Sequence, residues 1–207
     1  MVQKARDQVN FYVWFDAEYS TVELETAVLL QVAALITDTS LRRALPEERD
    51  IRLVIRTPEG TRFSPWVQRN LGDVLTACRS DEAVEIAEAD ERLAEYVEAA
   101  TGPGGERTEH RPVLAGNSIH FDWWLIRRFL PRFLSRLHYR QLDVSAFKLE
   151  WQRLHPGERF QKENPENVRA YFPEVALTPS SNRHDAYYDL QNSIAELAFY
   201  RQHLFRR

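Results

Sequence analysis

The chain of 207 residues predicts one mixed α/β domain spanning residues 1–207. Three observations carry that expectation. Apolar, β-branched-rich segments at 11–15, 26–37 and 51–56 follow one another without an intervening helix. Helical spacing takes over at 65–100 and returns at 184–204. Between them, two more strand-like segments, 112–117 and 138–145, alternate with helical stretches.

The first two segments, "FYVWF" and "TAVLLQVAALIT", are apolar on both faces, as central strands of a covered sheet are. The third, "IRLVIR", runs into the turn residues "TPEG" at 57–60, so a meander is expected. Pro65 suits the first turn of a helix. A second helix is expected from Ser80 or Asp81 as cap, with Val84, Ile86, Leu93 and Val97 on its apolar stripe. The acidic residues from Asp81 to Glu91 then form a solvated face. "TGPGG" at 101–105 breaks this helix.

"PVLAGN" at 112–117 reads as a buried strand ending in a tight turn at Gly116. "IHFDWWLIRRFL" at 119–130 reads as a helix restarted at Pro131, "HYRQLDVS" at 138–145 as a strand, and "AFKLEWQRLH" as a helix. Residues 156–182 form a polar, proline-rich segment with one short helix, before an amphipathic helix closes the chain.

Composition narrows the function. A net charge of −4 argues against a protein that coats long nucleic acid by bulk electrostatics, but leaves room for a metal-lined cleft holding a short oligonucleotide. Cys78 is the only cysteine, which excludes an intramolecular disulfide and a cysteine-rich zinc site. The first ten residues lack a signal-peptide core, and no apolar run approaches the roughly 20 residues that span a bilayer. A cytoplasmic protein without a membrane partner is expected.

The chemistry is concentrated in acidic residues. Asp16 and Glu18 end an apolar strand and, two apart, project to the same face, where neighbouring anions repel. Asp122 stands near the start of the helix after "VLAG", and His184 and Asp189 begin the last helix. Taken singly, each has a plain role: a solvated loop start, a helix residue facing water, a surface histidine, a carboxylate favoured by a helix N-terminus. As a set, carboxylates from a strand end, a neighbouring helix and the terminal helix can meet, and such a cluster requires divalent cations. Hard oxygen ligands select magnesium or manganese over zinc. Two such ions about 3.5–4 Å apart clamp the attacking and leaving oxygens of a phosphodiester.

Residues five apart in a helix point about 140° from each other. His184 and Asp189 therefore share a site only if Asp185 caps the helix and His184 lies outside it. There the imidazole is free to serve as general base toward the attacking water.

Four blocks in order, "FDAE", "GNSIHFD", "HYRQLDVS" and "HDAYYDLQNSIAEL", resemble oligoribonucleases of the DEDDh branch of 3′-to-5′ exonucleases, over about Phe11 to Arg201. The resemblance implies an RNase H-like mixed five-stranded sheet flanked by helices, acting on short single-stranded RNA down to dinucleotides. It implies two magnesium or manganese ions per active site, held by Asp16, Glu18, Asp122 and Asp189, with His184 as general base. It further implies a homodimer in which Tyr139 enters the partner's site, while Arg140 and Ser145 hold the terminal phosphate of the substrate. Trp66 matches a base-stacking aromatic and Val22 the apolar wedge between bases; Ala17 and Asn117 fall within substrate-binding motifs. Plainer roles stand beside these. Trp66 suits a core, and Arg140 belongs with Arg127, Arg128, Arg132 and Arg136 to a group that suits a dimer edge or solvated surface.

The chain also departs from the pattern. "EYST" lacks the family's glycine, Leu71 stands about where a histidine is usual, and "HFDWW" replaces polar and basic neighbours. These changes leave single-stranded DNA or longer RNA open as the alternative substrate.

Overall fold

The computed structural model describes residues 9–102, 110–176 and 185–204. His184, most of the expected "TGPGG" break and the end of the 156–182 segment lie outside the described residues.

Three strands form the expected meander: β1 (Phe11–Tyr19), β2 (Leu29–Asp38) and β3 (Ile51–Val54) pair antiparallel. β4 (Val113–Gly116) lies parallel to β1 on its other side, and β5 (Gln141–Asp143) parallel to β4. The resulting mixed five-stranded sheet runs in the order β3-β2-β1-β4-β5.

Alternation along β1 sorts its side chains between two cores. Val13, Phe15 and Ala17 pack with Leu93, Val97, Leu125 and Phe133. Trp14 turns to the opposite face, among Trp151, Phe172, Leu190 and Ile194. The first core is covered by α3 (Ile86–Thr101), α4 (His120–Phe129) and α5 (Pro131–Leu134). The second is covered by α6 (Val144–Leu154), α7 (Pro165–Tyr171) and α8 (Ala186–Leu204). Two short helices, α1 (Pro65–Asn70) and α2 (Gly72–Ala77), pack a small third core against Leu30 of β2 and Val54 of β3. Ser64 caps α1 with Pro65 in its first turn, as its sequence requires.

Three local expectations are corrected. α3 starts at Ile86 rather than at Asp81, because Val84 is drawn into a bridge with Ile55. The Val84 N–H donates to the Val54 carbonyl and the Arg56 N–H to the Val84 carbonyl, which holds this stretch extended. The expected strand 138–145 is only Gln141–Asp143; Asp143 caps α6 through the Ser145 N–H, placing Ser145 in a helix. The acidic face of α3 is not wholly solvated, since Asp90 is buried and accepts from the backbone N–H groups of Arg132 and Phe133. It supplies the cap that the Leu130–Pro131 junction lacks.

Three members of the arginine group are tied down within the chain. Arg128 donates to the carbonyls of Leu24, Glu25 and Ala27, while Arg132 and Arg136 pair with Glu91 and Glu98.

Candidate active site

Asp16 and Glu18 continue the parity of Trp14, so they face α8 beyond the apolar part of β1. The pairing register shifts between Glu18 and Tyr19, which ends regular pairing beside the second carboxylate. On α8, Asp185 accepts from the N–H groups of Tyr187 and Tyr188 and thereby caps the helix. Asp189 then lies one turn inside, with its N–H donating to the Asp185 carbonyl. Carboxylate oxygens of Asp16, Glu18 and Asp189 come within 4.8 Å of one another, and all three groups are half-buried.

Asp122 is buried beside them, in the first turn of α4, and its carboxylate is hydrogen-bonded by the Ala17 backbone. The group thus sits in the last part of β1, beyond the stretch that pairs with β4, where the chain leaves toward β2 on one side and, after β4, toward β5 on the other. Open α/β sheets bind ligands at such a divergence.

Crowded carboxylates resist ionisation. Burial, followed by the charges of Asp122, Asp189 and Glu18, raises the Asp16 pKa well above the ordinary carboxylate range, with Lys162 opposing. Burial and then Asp189, Asp122 and Asp185 push Glu18 up to about 8. Burial raises Asp122 as well, against its backbone hydrogen bonds. The phenol of Tyr19 is pushed up to about 12 by burial and the same anions. An all-oxygen donor set whose members repel one another in this way fits a divalent cation. Asp16, Glu18 and Asp189 would hold it directly, with Asp122 adjoining.

Two cavities meet at Asp16 and Asp189, which line both. One, of about 410 Å³, is walled by Tyr19, Thr21, Val22, Trp66 and Val67. Trp66 is 44% exposed and Val22 76%, so both present apolar surface to this space. The other, of about 250 Å³, is polar, with Asn117, Ser118, Ser145, Lys148, Lys162 and Asn192 on its walls.

Asn117 is spent on framework bonds. Its amide donates to Ser193 Oγ and Glu196 Oε2 at 2.9 Å each, and its Oδ1 accepts from Ser145 Oγ. The turn is tight: Ser118 has φ 50°, and its N–H donates to Ser145 Oγ and Asp143 Oδ1. Gly116 is required here by close approach, since a Cβ would meet the Phe15 carbonyl at 3.0 Å and Ile119 Cδ1 at 2.9 Å. Gly116→Ala is therefore expected to destabilise the fold by about 1–3 kcal/mol, as overpacking does. It should also slow catalysis, because Phe15 directly precedes Asp16; denaturant melts and initial rates check the two effects.

Tyr139 and Arg140 line neither cavity. Tyr139 is 64% exposed, stacked on His138, with the Arg140 guanidinium 5.3 Å from its ring centroid. Leu71, where a histidine was expected by resemblance, is buried with Leu30, Val67 and Cys78 and does not reach the site. Lys148, Lys162 and Asn192 escaped the sequence reading. Lys148 follows Ser145 by one helical turn, a spacing that could have been noticed. Lys162 lies in an irregular segment, and Asn192 reads as an ordinary helix residue.

A mixed sheet carrying carboxylates at its strand ends, between an apolar and a polar cavity, defines a hydrolase of the metal-using nuclease class. The comparisons agree. The Exonuclease family model (RNase_T) matches residues 13–197. Human mitochondrial oligoribonuclease is 30% identical over 198 residues, covering 94% of this chain and 73% of that protein. The oligoribonuclease of Corynebacterium glutamicum is 32% identical over 196 residues, covering 93% and 79%. Among solved structures, Exonuclease I from Methylocaldum szegediense superposes with a TM-score of 0.65 at 20% identity, covering 94% of this chain. The chain spans only 41% of that Exonuclease I. The Mg²⁺- and Mn²⁺-bound Pop2p of S. pombe superposes at 0.57 and 12% identity, covering 94% and 84%. At these identities the structural matches speak for the fold.

The chain belongs to the exonuclease family and, within it, to the oligoribonucleases. It is accordingly a 3′-to-5′ exonuclease whose carboxylate cluster suits a divalent metal. No helix among the described residues is long and apolar enough to cross a membrane.

Proposed function

We propose that this protein, as one domain over residues 1–207, degrades short oligoribonucleotides from the 3′ end, down to dinucleotides, to nucleoside monophosphates. The meeting of Asp16, Glu18 and Asp189 within 4.8 Å, at the junction of an apolar and a polar cavity, carries this reading. In it, Asp16, Glu18, Asp122 and Asp189 hold two magnesium or manganese ions. When bound, those ions polarise the scissile phosphate and neutralise charge on the leaving oxygen. His184, immediately before the Asp185 cap, takes a proton from the attacking water. Trp66 stacks on a base, Val22 wedges beside it, and the Ala17 backbone steadies Asp122. Ser145 faces the substrate's phosphates from the polar side.

Tyr139 serves a homodimer in this reading, entering the partner's site, while Arg140 with Ser145 holds the terminal phosphate of the substrate. The exposure of Tyr139, and its absence from the walls of the two cavities, support the dimer role. The setting is cytoplasmic.

The buried Leu71 favours a second reading with the same chemistry, on single-stranded DNA or longer RNA, because it leaves the apolar cavity without the family's histidine. Product analysis with magnesium over a length series of 5′-labelled RNAs and DNAs, from the dinucleotide upward, separates the two. Fastest turnover of the ribodinucleotide supports the first; if it is the poorest substrate, the second replaces it.

A further inference from the structure

We propose that Arg128 is a positioning residue for the apolar cavity: it clamps the loop that carries Val22 onto α4, the helix that carries Asp122. The inference rests on the reading above, in which Val22 wedges beside a base of the substrate.

The loop of residues 20–28 joins β1 to β2 and is closed at its base by the buried Ser20. The Ser20 N–H donates to the Val28 carbonyl, and Ser20 Oγ accepts from the Val28 N–H at 3.1 Å. The Ser20 carbonyl accepts from the N–H of Ser64, the cap of α1. The Val22 loop and the helix bearing Trp66 thus share one anchor, which fixes two walls of the cavity relative to each other. None of these bonds reaches α4.

Arg128 supplies that second tie from the last turn of α4. Its Nη1 donates to the carbonyls of Leu24, Glu25 and Ala27 at 2.9, 2.7 and 3.2 Å. Among the described residues these three carbonyls accept from no backbone N–H, so one guanidinium serves them all. The guanidinium is oriented in turn by rings of its own helix, 4.7 Å from the Phe129 centroid and 5.7 Å from that of Trp124. Beyond the tip of the loop the chain is therefore held: Leu24 packs on the first core, Ala27 is buried, and their carbonyls meet Arg128. The exposed Val22 depends on that hold for its place on the cavity wall. Because Asp122 lies in the first turn of the same helix, Arg128 sets the apolar wall against the carboxylates. A loop that must order on binding lowers affinity by the fraction of time it is already in place.

The test is a double-mutant cycle on the whole chain with magnesium, read as KM and kcat for the ribodinucleotide and for a longer RNA. Arg128→Met removes the donors and keeps an apolar stem against the two rings. It should raise KM for the dinucleotide about tenfold, as for a loop in place about a tenth of the time, and change kcat by less than about twofold. The rise should be smaller on the longer RNA, which further nucleotides hold in place. Arg128→Lys should restore part of the loss. Val22→Ala should raise KM by itself, and adding Arg128→Met to it should cost little more, since both act through one contact. The magnesium concentration for half-maximal rate should stay where it is. Additive losses, an equal loss in kcat or a shifted magnesium requirement would overturn the inference and leave Arg128 a support of α4. Where the methionine variant does not fold, Arg128→Gln is read in the same cycle. A Val22→Ala variant with wild-type KM defeats this inference while the exonuclease reading stands. A wild-type chain that cleaves no RNA defeats that reading, and the same cycle measured as dinucleotide affinity still decides the clamp.

Discussion

Asp16→Asn is expected to lower turnover of a short oligoribonucleotide by at least about a hundred- to a thousandfold, the scale on which removing one preorganised electrostatic group acts. The substitution keeps the shape of the side chain and removes the charge of one member of the cluster. Asp16 lines both cavities, so its charge lies where the apolar and the polar space meet. The fold should survive. Val13, Phe15 and Ala17 on the opposite face anchor β1, and the strand pairs on both sides. Without metal the variant should melt no lower than wild type, because a buried anion repelled by Asp122, Asp189 and Glu18 has been neutralised. Single-turnover rates with saturating magnesium, beside thermal melts, give both readouts. Retention of most of the activity would remove Asp16 from the chemistry and with it the proposed role of the cluster.

The second large effect is on stability, and it depends on pH. Glu18 titrates near 8 in the metal-free fold instead of near 4.5. The native state therefore keeps a proton that the unfolded chain gives up, and stability falls as pH rises between those two values. Below 4.5 both states are protonated and the penalty vanishes; above about 8 it is fully present. Asp16 and Asp122, also raised, act in the same direction. A divalent cation replaces those protons, so the stabilisation it brings should grow with pH. At a hundred times its dissociation constant a ligand adds about 2.7 kcal/mol, each of which moves the melting temperature of a chain this size by about 2–4 °C. Melts with EDTA and with Mg²⁺ or Mn²⁺ at pH 5 and pH 8 should differ far more at the higher pH. A metal-induced shift that is the same at both would mean that these carboxylates do not bind the ion.

Much of this was legible in local patterns. Alternation along "FYVWFDAE" put Asp16 and Glu18 on one face, and the same alternation in the fold carries both to the α8 side. The requirement that Asp185 cap the last helix followed from helical geometry, and the cap is present. What escaped has a common cause. Val84 has helical spacing with Leu93 and Val97, yet bonds to the backbone of β3 and its flank, thirty residues earlier in the chain. Asp90 looked solvated because nothing nearby in sequence announces the N-terminus of α5 that it caps. Ser145 reads as strand because the cap residue, Asp143, sits at the end of one. Lys162 and Asn192 lie in stretches whose local pattern carries no chemical signal.

From its residues alone the chain declared where its strands lie, the shared face of Asp16 and Glu18, and the kind of ion such carboxylates suit. Packing settled which elements share a cavity: α8 lies across the β1 face that bears Asp16 and Glu18, and the segment after α6 brings Lys162 beside them. The division is physical. Side-chain direction is set by backbone geometry over a few residues, whereas a meeting of groups more than a hundred residues apart depends on how whole faces exclude water against each other.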